Sequence, residues 1–336
     1  MLKILLFADT HLGFDYPIRP RIKRRRRGAD FFSNYKRVLQ FASDNQVDLL
    51  VHTGDFFFRS KIPQQIIDKA YEILLEFAKN DIPIVLVPGN HERSKFPISL
   101  LLNHKNINIF TQSKKFEFCL KGYKLFLAGF PYQKNNIRQE FPKLVGKILP
   151  QQNYDLKMLC LHQIVEGAKV GPADFTFSKA ANVIKISDIP SVFDLILAGH
   201  IHKKQILWKN KSQKKIPIIY PGSTERTSFA EKDEVKGFFI MEFTKEKNNT
   251  NLNNLEFIEL PTRTMIDLKV DLVTKRKDML IEWLRKAIKG VDSNAIVRLE
   301  FTDRKTSTLL TAQERRSIFP KTMNVSLKKV FTNAKR

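Results

Sequence analysis

Three times between Leu2 and Glu92 an apolar run of strand length ends in a short polar loop, and a helix-patterned stretch separates each from the next. The apolar run that starts at Leu2 stops at Asp9-Thr10-His11, Val47–His52 runs into Thr53-Gly54-Asp55, and Ile82–Val87 ends in Pro88-Gly89-Asn90-His91-Glu92. Between them, Phe31, Phe32, Tyr35, Val38, Leu39 and Ala42 recur at helical spacing in 30–46, as do Ile66, Ile67, Ala70, Ile73, Leu74, Phe77 and Ala78 in 62–79. Alternating strands and helices predict a layered α/β sheet with its loops collected at one edge. Ligands of such sheets bind beyond the carboxyl ends of the strands.

The pattern continues. A hairpin is expected at 116–120 and 123–128, a helix at 136–149, and strands at 156–161 and 192–198 that end at His162-Gln163 and Gly199-His200-Ile201-His202. Two antiparallel strands follow at 206–208 and 216–220, and 237–243 reads as the last strand of this body. The lysine- and asparagine-rich segment 244–254 reads as a hairpin loop. Pro261-Thr262-Arg263 opens a small β-α-β-α-β unit with strands at 265–272, 295–302 and 324–330, so the expected organisation is a body of 1–260 and an appended domain of 261–336.

The polar strand ends form a constellation: Asp9, His11, Asp55, Asn90, His91, His162, His200 and His202. The chain has seven histidines, and five stand in this set; His52 and His104 are left as structural residues. Carboxylates, an amide and imidazoles suit a pair of divalent first-row ions such as manganese, iron or zinc. Asp9, His11 and His202 would complete one ion, Asn90, His162 and His200 the other, and Asp55 can bridge because a carboxylate has two oxygens. Residues two apart in extended backbone point to the same side, so Asp9 and His11 are expected to face one way. Two such ions clamp the attacking and leaving oxygens of an in-line displacement at phosphorus and make a hydroxide nucleophile available near neutral pH. His91, beside a ligand, is read as a proton donor or phosphate orienter.

The formal charge is +24, from 58 basic and 34 acidic residues, which calls for a polyanionic partner. Arg21, Lys23, Arg24, Arg25, Arg26 and Arg27 make six of seven consecutive positions basic, either a solvated face or a phosphate contact; the lysines of 203–215 form a second patch. Arg226 reads equally as a phosphate contact or as a partner of Glu225 or another acid. Cys119 and Cys160 lie in apolar runs and are expected to be buried thiols. The first strand begins directly after Met1, and no apolar stretch reaches membrane-span length, so a cytoplasmic protein without a membrane partner is expected.

The order Asp-x-His, Gly-Asp, Gly-Asn-His-Glu, a lone His and Gly-His-x-His resembles the calcineurin-like metallophosphoesterase superfamily. Within it, Asp9-Thr10-His11-Leu12-Gly13, Leu161-His162-Gln163, and Tyr220-Pro221-Gly222-Ser223 followed by Glu225-Arg226 are most similar to SbcD-type DNA-repair nucleases. The resemblance implies a four-layer α/β/β/α sandwich with a small C-terminal α/β capping domain. It also implies two manganese ions on the two ligand sets above, with His91 acting on the scissile phosphate and leaving group. The implied activity is manganese-dependent exonuclease and single-strand endonuclease action in double-strand-break repair, near the nucleoid, by a homodimer working with an SMC-like ATPase. Three features depart from the family pattern. Phe58 stands where archaeal members carry a histidine that supports exonuclease action. Glu92 replaces the commoner aspartate. The helical segment that grips the ATPase coiled coil in longer members would follow Arg336, so a weaker hold is expected. A small-molecule phosphodiesterase or phosphatase on the same fold, and a non-catalytic nucleic-acid scaffold, are the competing functions; the charge and the extra domain argue against the first, and the complete set of polar strand ends against the second.

Overall fold

The computed structural model describes residues 1–15, 27–92, 96, 104–176, 180–211, 214–247 and 249–330. Two six-stranded sheets carry the body. The first contains β1 (Leu2–Phe7), β2 (Leu49–His52), β3 (Ile84–Leu86) and β4 (Ile107–Ile109), all parallel, and it appends the long pair β15 (Lys236–Glu246) and β16 (Asn249–Leu260) in the order β16-β15-β1-β2-β3-β4. The second has the order β13-β14-β12-β7-β6-β5. Its centre is parallel, made of β6 (Tyr123–Gly129), β7 (Leu156–His162), β12 (Leu195–Gly199) and β14 (Lys214–Tyr220). Its edges β5 (Lys114–Leu120) and β13 (Gln205–Lys211) are antiparallel. Four two-residue strands, β8 (Ile164–Val165), β9 (Lys169–Val170), β10 (Phe175–Thr176) and β11 (Val183–Ile184), lie in the connection from β7 to β12.

The strand period of two sorts the apolar side chains into three layers of core. Leu2, Ile4 and Leu6 of β1 meet Leu125, Met158, Cys160 and Leu197 of the second sheet. Leu5 and Phe7 point the other way, onto α1 (Gly28–Asp44) and α2 (Gln64–Ala78), through Phe31, Tyr35, Ile67 and Leu74. On the far side, Phe126, Leu159 and Ile196 pack on α3 (Ile137–Gly146) through Phe141 and Val145. Helix, sheet, sheet, helix is the four-layer sandwich that the resemblance implied. Each fully buried Leu, Ile or Phe contributes about 1.5–3 kcal/mol, so sheets covered on both faces are stable without polar surface of their own.

The chain divides into two compact units, Met1–Phe14 with Gly28–Pro261, and Asp15–Arg27 with Thr262–Arg336. In the second, β17 (Met265–Val270), β18 (Ile296–Phe301) and β19 (Asn324–Lys329) form a parallel sheet joined by α4 (Lys277–Ala287) and α5 (Ala312–Ile318). Its own core holds Val270, Leu280, Leu284, Leu299 and Phe301.

Two expectations are corrected here. The loop expected at 244–254 is almost wholly strand: β15 and β16 pair as far as Glu246 and Asn249. Backbone pairing at a sheet edge needs no apolar side chains, so lysines and asparagines sit there solvated, without the alternation that marks a half-buried strand. Cys119 is exposed and only Cys160 is buried, because β5 is an edge strand whose alternate residues face outward.

Candidate metal centre

The loops after β1, β2, β3, β7 and β12 meet at one edge of the two sheets. The first two are zipped together: the Asp9 amide donates to the Gly54 carbonyl at 2.9 Å, His11 to Asp55 at 3.0 Å, and Leu12 to Phe56 at 2.8 Å. The backbone there is not extended. Asp9, His11 and Asp55 have φ of 50°, 47° and 53°, so Asp9 and His11 converge through left-handed turns and not through the pleat of a strand. Glycine is required where the loops touch. A Cβ on Gly54 would lie 2.0 Å from His162 Nδ1, and one on Gly199 2.0 Å from the Thr53 carbonyl.

The eight polar strand ends come together. Ligand atoms of Asp9, His11 and His202 lie within 4.8 Å of one another, and so do those of Asp55, His162 and His200, and of His11, Asp55 and His91. Asn90 Oδ1 lies 3.0 Å from His162 Nε2 and 2.8 Å from His200 Nδ1. Asp55 Oδ2 lies 3.3 Å from His162 Nε2 and 3.8 Å from His91 Nε2, and its Oδ1 accepts the His91 amide at 2.9 Å. His200 donates its amide to Asp9.

The ring partners assign the tautomers. His162 Nδ1 donates to the Thr53 carbonyl at 2.7 Å, so the Nε2 side of the ring faces the oxygens of Asn90 and Asp55. His202 Nδ1 faces Glu231 Oε1 at 3.2 Å, which leaves its Nε2 lone pair 2.9 Å from His11 Nε2. His11 Nδ1 is buried without a hydrogen-bond partner. Carboxylate oxygen, amide oxygen and imidazole nitrogen crowded within hydrogen-bond distance in a buried site are ligand atoms that suit divalent first-row ions. The residues therefore fit the ions their chemistry suggests.

Protonation follows the same logic. Burial keeps His11 well below the usual histidine range and His200 at about 3, so both rings keep their lone pairs. Burial opposes charge on His162 too, yet the Asp55 carboxylate outweighs it and pushes the ring up to about 9. Asp55 is held far below the carboxylate range, the nearby His162 overriding its burial. Burial pushes Asp9 up to about 6.

Three supporting residues escaped the reading of the sequence, and a fourth, His52, is the buried residue expected there. Glu92, noted only as an acid, is buried and clamps two loops: its carboxylate accepts the Phe57 amide at 2.5 Å and the Gly89 amide at 2.8 Å. His52, left as structural, is also buried. Its Nδ1 accepts from the Gly54 amide at 3.3 Å and its Nε2 lies 2.8 Å from the Thr10 hydroxyl, between the two zipped loops. Glu231 and Lys236, behind His202, had no signal at all, because they follow no strand end and match no quoted motif.

Among the residues considered for DNA contact, Arg21, Lys23, Arg24, Arg25 and Arg26 lie outside the described residues. Arg27 is buried. Arg226 directs Nε and Nη2 to the Glu234 carbonyl at 3.0 and 2.9 Å, and its amide donates to Glu225 Oε1. In the second patch, Lys203 pairs with Asp174, Lys204 lies over the Phe257 ring, and Lys209 is buried with Nζ donating to the Ser187 carbonyl.

A family model described as calcineurin-like phosphoesterase matches residues 2–204, from β1 through the loop that holds His200 and His202. The chain belongs to that family. This phosphoesterase is 26% identical over 274 residues to the DNA double-strand break repair protein Mre11 of Methanocaldococcus jannaschii, covering 78% of this chain and 68% of the relative. The protein of the same name from Methanococcus maripaludis is 25% identical over 280 residues, with 80% and 70% covered, and that from Archaeoglobus fulgidus is 26% identical over 294, with 80% and 62% covered. A solved dimetal phosphatase from Danio rerio aligns at 13% identity with a TM-score of 0.45, over 71% of this chain and 92% of that one. The phosphoesterase fold implies divalent metal ions, and the three residue groups above are where side chains of this chain can hold them. No helix among the described residues is long and apolar enough to cross a membrane.

Proposed function

We propose that this phosphoesterase is a manganese-dependent DNA nuclease of double-strand-break repair, acting as exonuclease, single-strand endonuclease or both. The observation that carries the reading is the convergence of seven ligand residues and His91 at one sheet edge, in a chain of charge +24 with relatives named for DNA repair. Asp9, His11 and His202 would hold one ion and Asn90, His162 and His200 the other, with Asp55 able to serve both. When bound, two divalent ions neutralise charge on the phosphate oxygens and provide a water acidic enough to attack near neutral pH.

The chain's own residues do the rest. His91 Nδ1 donates to the Phe58 carbonyl, which fixes the ring and leaves Nε2 toward Asp55 and the centre. From there Nε2 is placed to hand a proton to the departing oxygen. Phe58, 5.6 Å from the His91 ring between centroids, offers no second proton donor, so the exonuclease share falls relative to a histidine at that place. Arg21, Lys23, Arg24, Arg25 and Arg26, with Lys203 and Lys204, neutralise backbone phosphates and make binding salt-dependent. The unit at 261–336 caps the DNA, and the working form is a homodimer with an SMC-like ATPase.

The test is cleavage of labelled duplex and single-stranded DNA with and without manganese, at two salt concentrations, by wild type and His91→Ala. Cleavage is expected to need manganese and to drop roughly 10²–10⁴-fold in the variant while DNA binding persists. A manganese-loaded wild type that cuts no DNA but hydrolyses a small phosphodiester would replace the nuclease with the small-molecule enzyme.

A further inference from the structure

The histidines of the centre are held from behind in different ways. His162 and His91 place Nδ1 against the backbone carbonyls of Thr53 and Phe58. His202 places Nδ1 against a carboxylate, Glu231 Oε1, at 3.2 Å, with the Thr227 hydroxyl, itself bound to that carboxylate, at 3.3 Å. Among the described residues it is the one histidine of the centre with an acid behind the ring and not in front of it.

That carboxylate is itself built in. Thr227 donates its hydroxyl to Oε1 at 2.5 Å and its amide to Oε2 at 3.3 Å. Lys236 Nζ reaches Oε2 at 2.7 Å, Glu234 Oε2 at 2.8 Å and the His202 carbonyl at 3.0 Å, so its three protons have three acceptors. The Lys236 side chain is 0% exposed. A buried ion pair is a poor device for stability alone, since apolar residues of similar volume do as well or better. Its geometry here serves the imidazole: an anion at Nδ1 holds the proton there, turns the Nε2 lone pair toward His11, and raises the ring's power as a ligand.

We infer that Glu231, locked by Lys236, is a positioning residue that sets the metal affinity of the Asp9, His11 and His202 half of the centre independently of the other half. The inference rests on the metal-centre reading above and goes beyond it, because it makes the two ions separable. The Asn90, His162 and His200 half gains no orientation from this carboxylate, so a change at Glu231 leaves it in place.

The experiment titrates manganese into the metal-free full chain by calorimetry and electron paramagnetic resonance, for wild type, Glu231→Ala and Glu231→Gln. The His202 tautomer is read from ¹⁵N shifts before metal is added. Wild type is expected to bind two ions, and Glu231→Ala to weaken one of them about 10–100-fold while the other stays within about twofold. The alanine variant should also lose the pure Nδ1–H form of His202, and its DNA cleavage should recover when manganese is raised. Glu231→Gln, which keeps shape and an acceptor oxygen, is expected to fall between the two, and it carries the same test if the alanine variant does not fold. A folded variant that binds both ions as wild type does, with the tautomer unchanged, overturns the inference while the metal-centre reading survives. A wild type that binds no manganese overturns that reading, and the inference falls with it.

Discussion

The first sheet brings the acids to the centre and the second brings only imidazoles. Asp9, Asp55 and Asn90, with His11 and His91, follow β1, β2 and β3; His162, His200 and His202 follow β7 and β12. The backbones differ as well. Asp9, His11 and Asp55 after the first sheet's strands sit at positive φ, against His200 alone in the second. A non-glycine residue held there costs of order 1–3 kcal/mol, and the cost is met where surrounding contacts over-determine the turn. On the first sheet those contacts are the amides that zip one loop to the next and the Glu92 clamp. On the second, rings are anchored from behind at Nδ1, by Thr53 for His162 and by Glu231 with Thr227 for His202. The contrast teaches that acids must be crowded by fixed backbone, because they repel one another, whereas imidazole rings need only be aimed.

Lys236 tests how far the sheets depend on each other, since it leaves β15 of the first sheet and grips the His202 loop of the second. Lys236→Met strands a buried carboxylate, and urea unfolding should show a loss of about 3–5 kcal/mol; a loss below about 1 kcal/mol would mean the second sheet holds its loop unaided. The two contact glycines separate strain from crowding. A methyl at Gly199 meets the Thr53 carbonyl without a positive φ, so overpacking alone should cost about 1–3 kcal/mol. Gly54→Ala adds left-handed strain of roughly 1–2 kcal/mol to a clash with His162, so it should melt lower than Gly199→Ala. Equal melting temperatures would remove strain as the difference between the sheets.

The smallest effect lies outside both sheets and serves as their control. Glu314 closes a capping box with Thr311 on α5, and Lys277, then Thr311, hold its carboxyl down to about 2. A depressed acid stabilises the fold above its unfolded value near 4.5 and loses that contribution as pH falls toward 2. Glu314→Gln should therefore lower the melting temperature slightly at pH 7 and not at pH 2, with or without manganese. A difference that persists at pH 2 would take the carboxylate out of the cap.

Much of the site was legible because a buried strand that ends in a histidine or aspartate is a local pattern, and five such ends repeat it. The helices were legible for the same reason. What escaped was carried by contacts between distant segments. Glu231 is 29 residues from His202 and meets it by a route no periodicity announces. Segment 244–254 looked like a loop because an edge ribbon pairs through its backbone, and Cys119 looked buried because its neighbours are apolar.

The sequence by itself determined the alternation of strands and helices, which polar residues end the strands, and the charge, since each is a property of side chains and short-range spacing. Only the tertiary structure decided that Asp9 and His11 converge through left-handed turns, which ring nitrogen of each histidine faces the centre, and which groups stand behind the rings. Those depend on hydrogen bonds between loops far apart in sequence, some brought together by strand pairing within the first sheet and others only when the two sheets pack face to face.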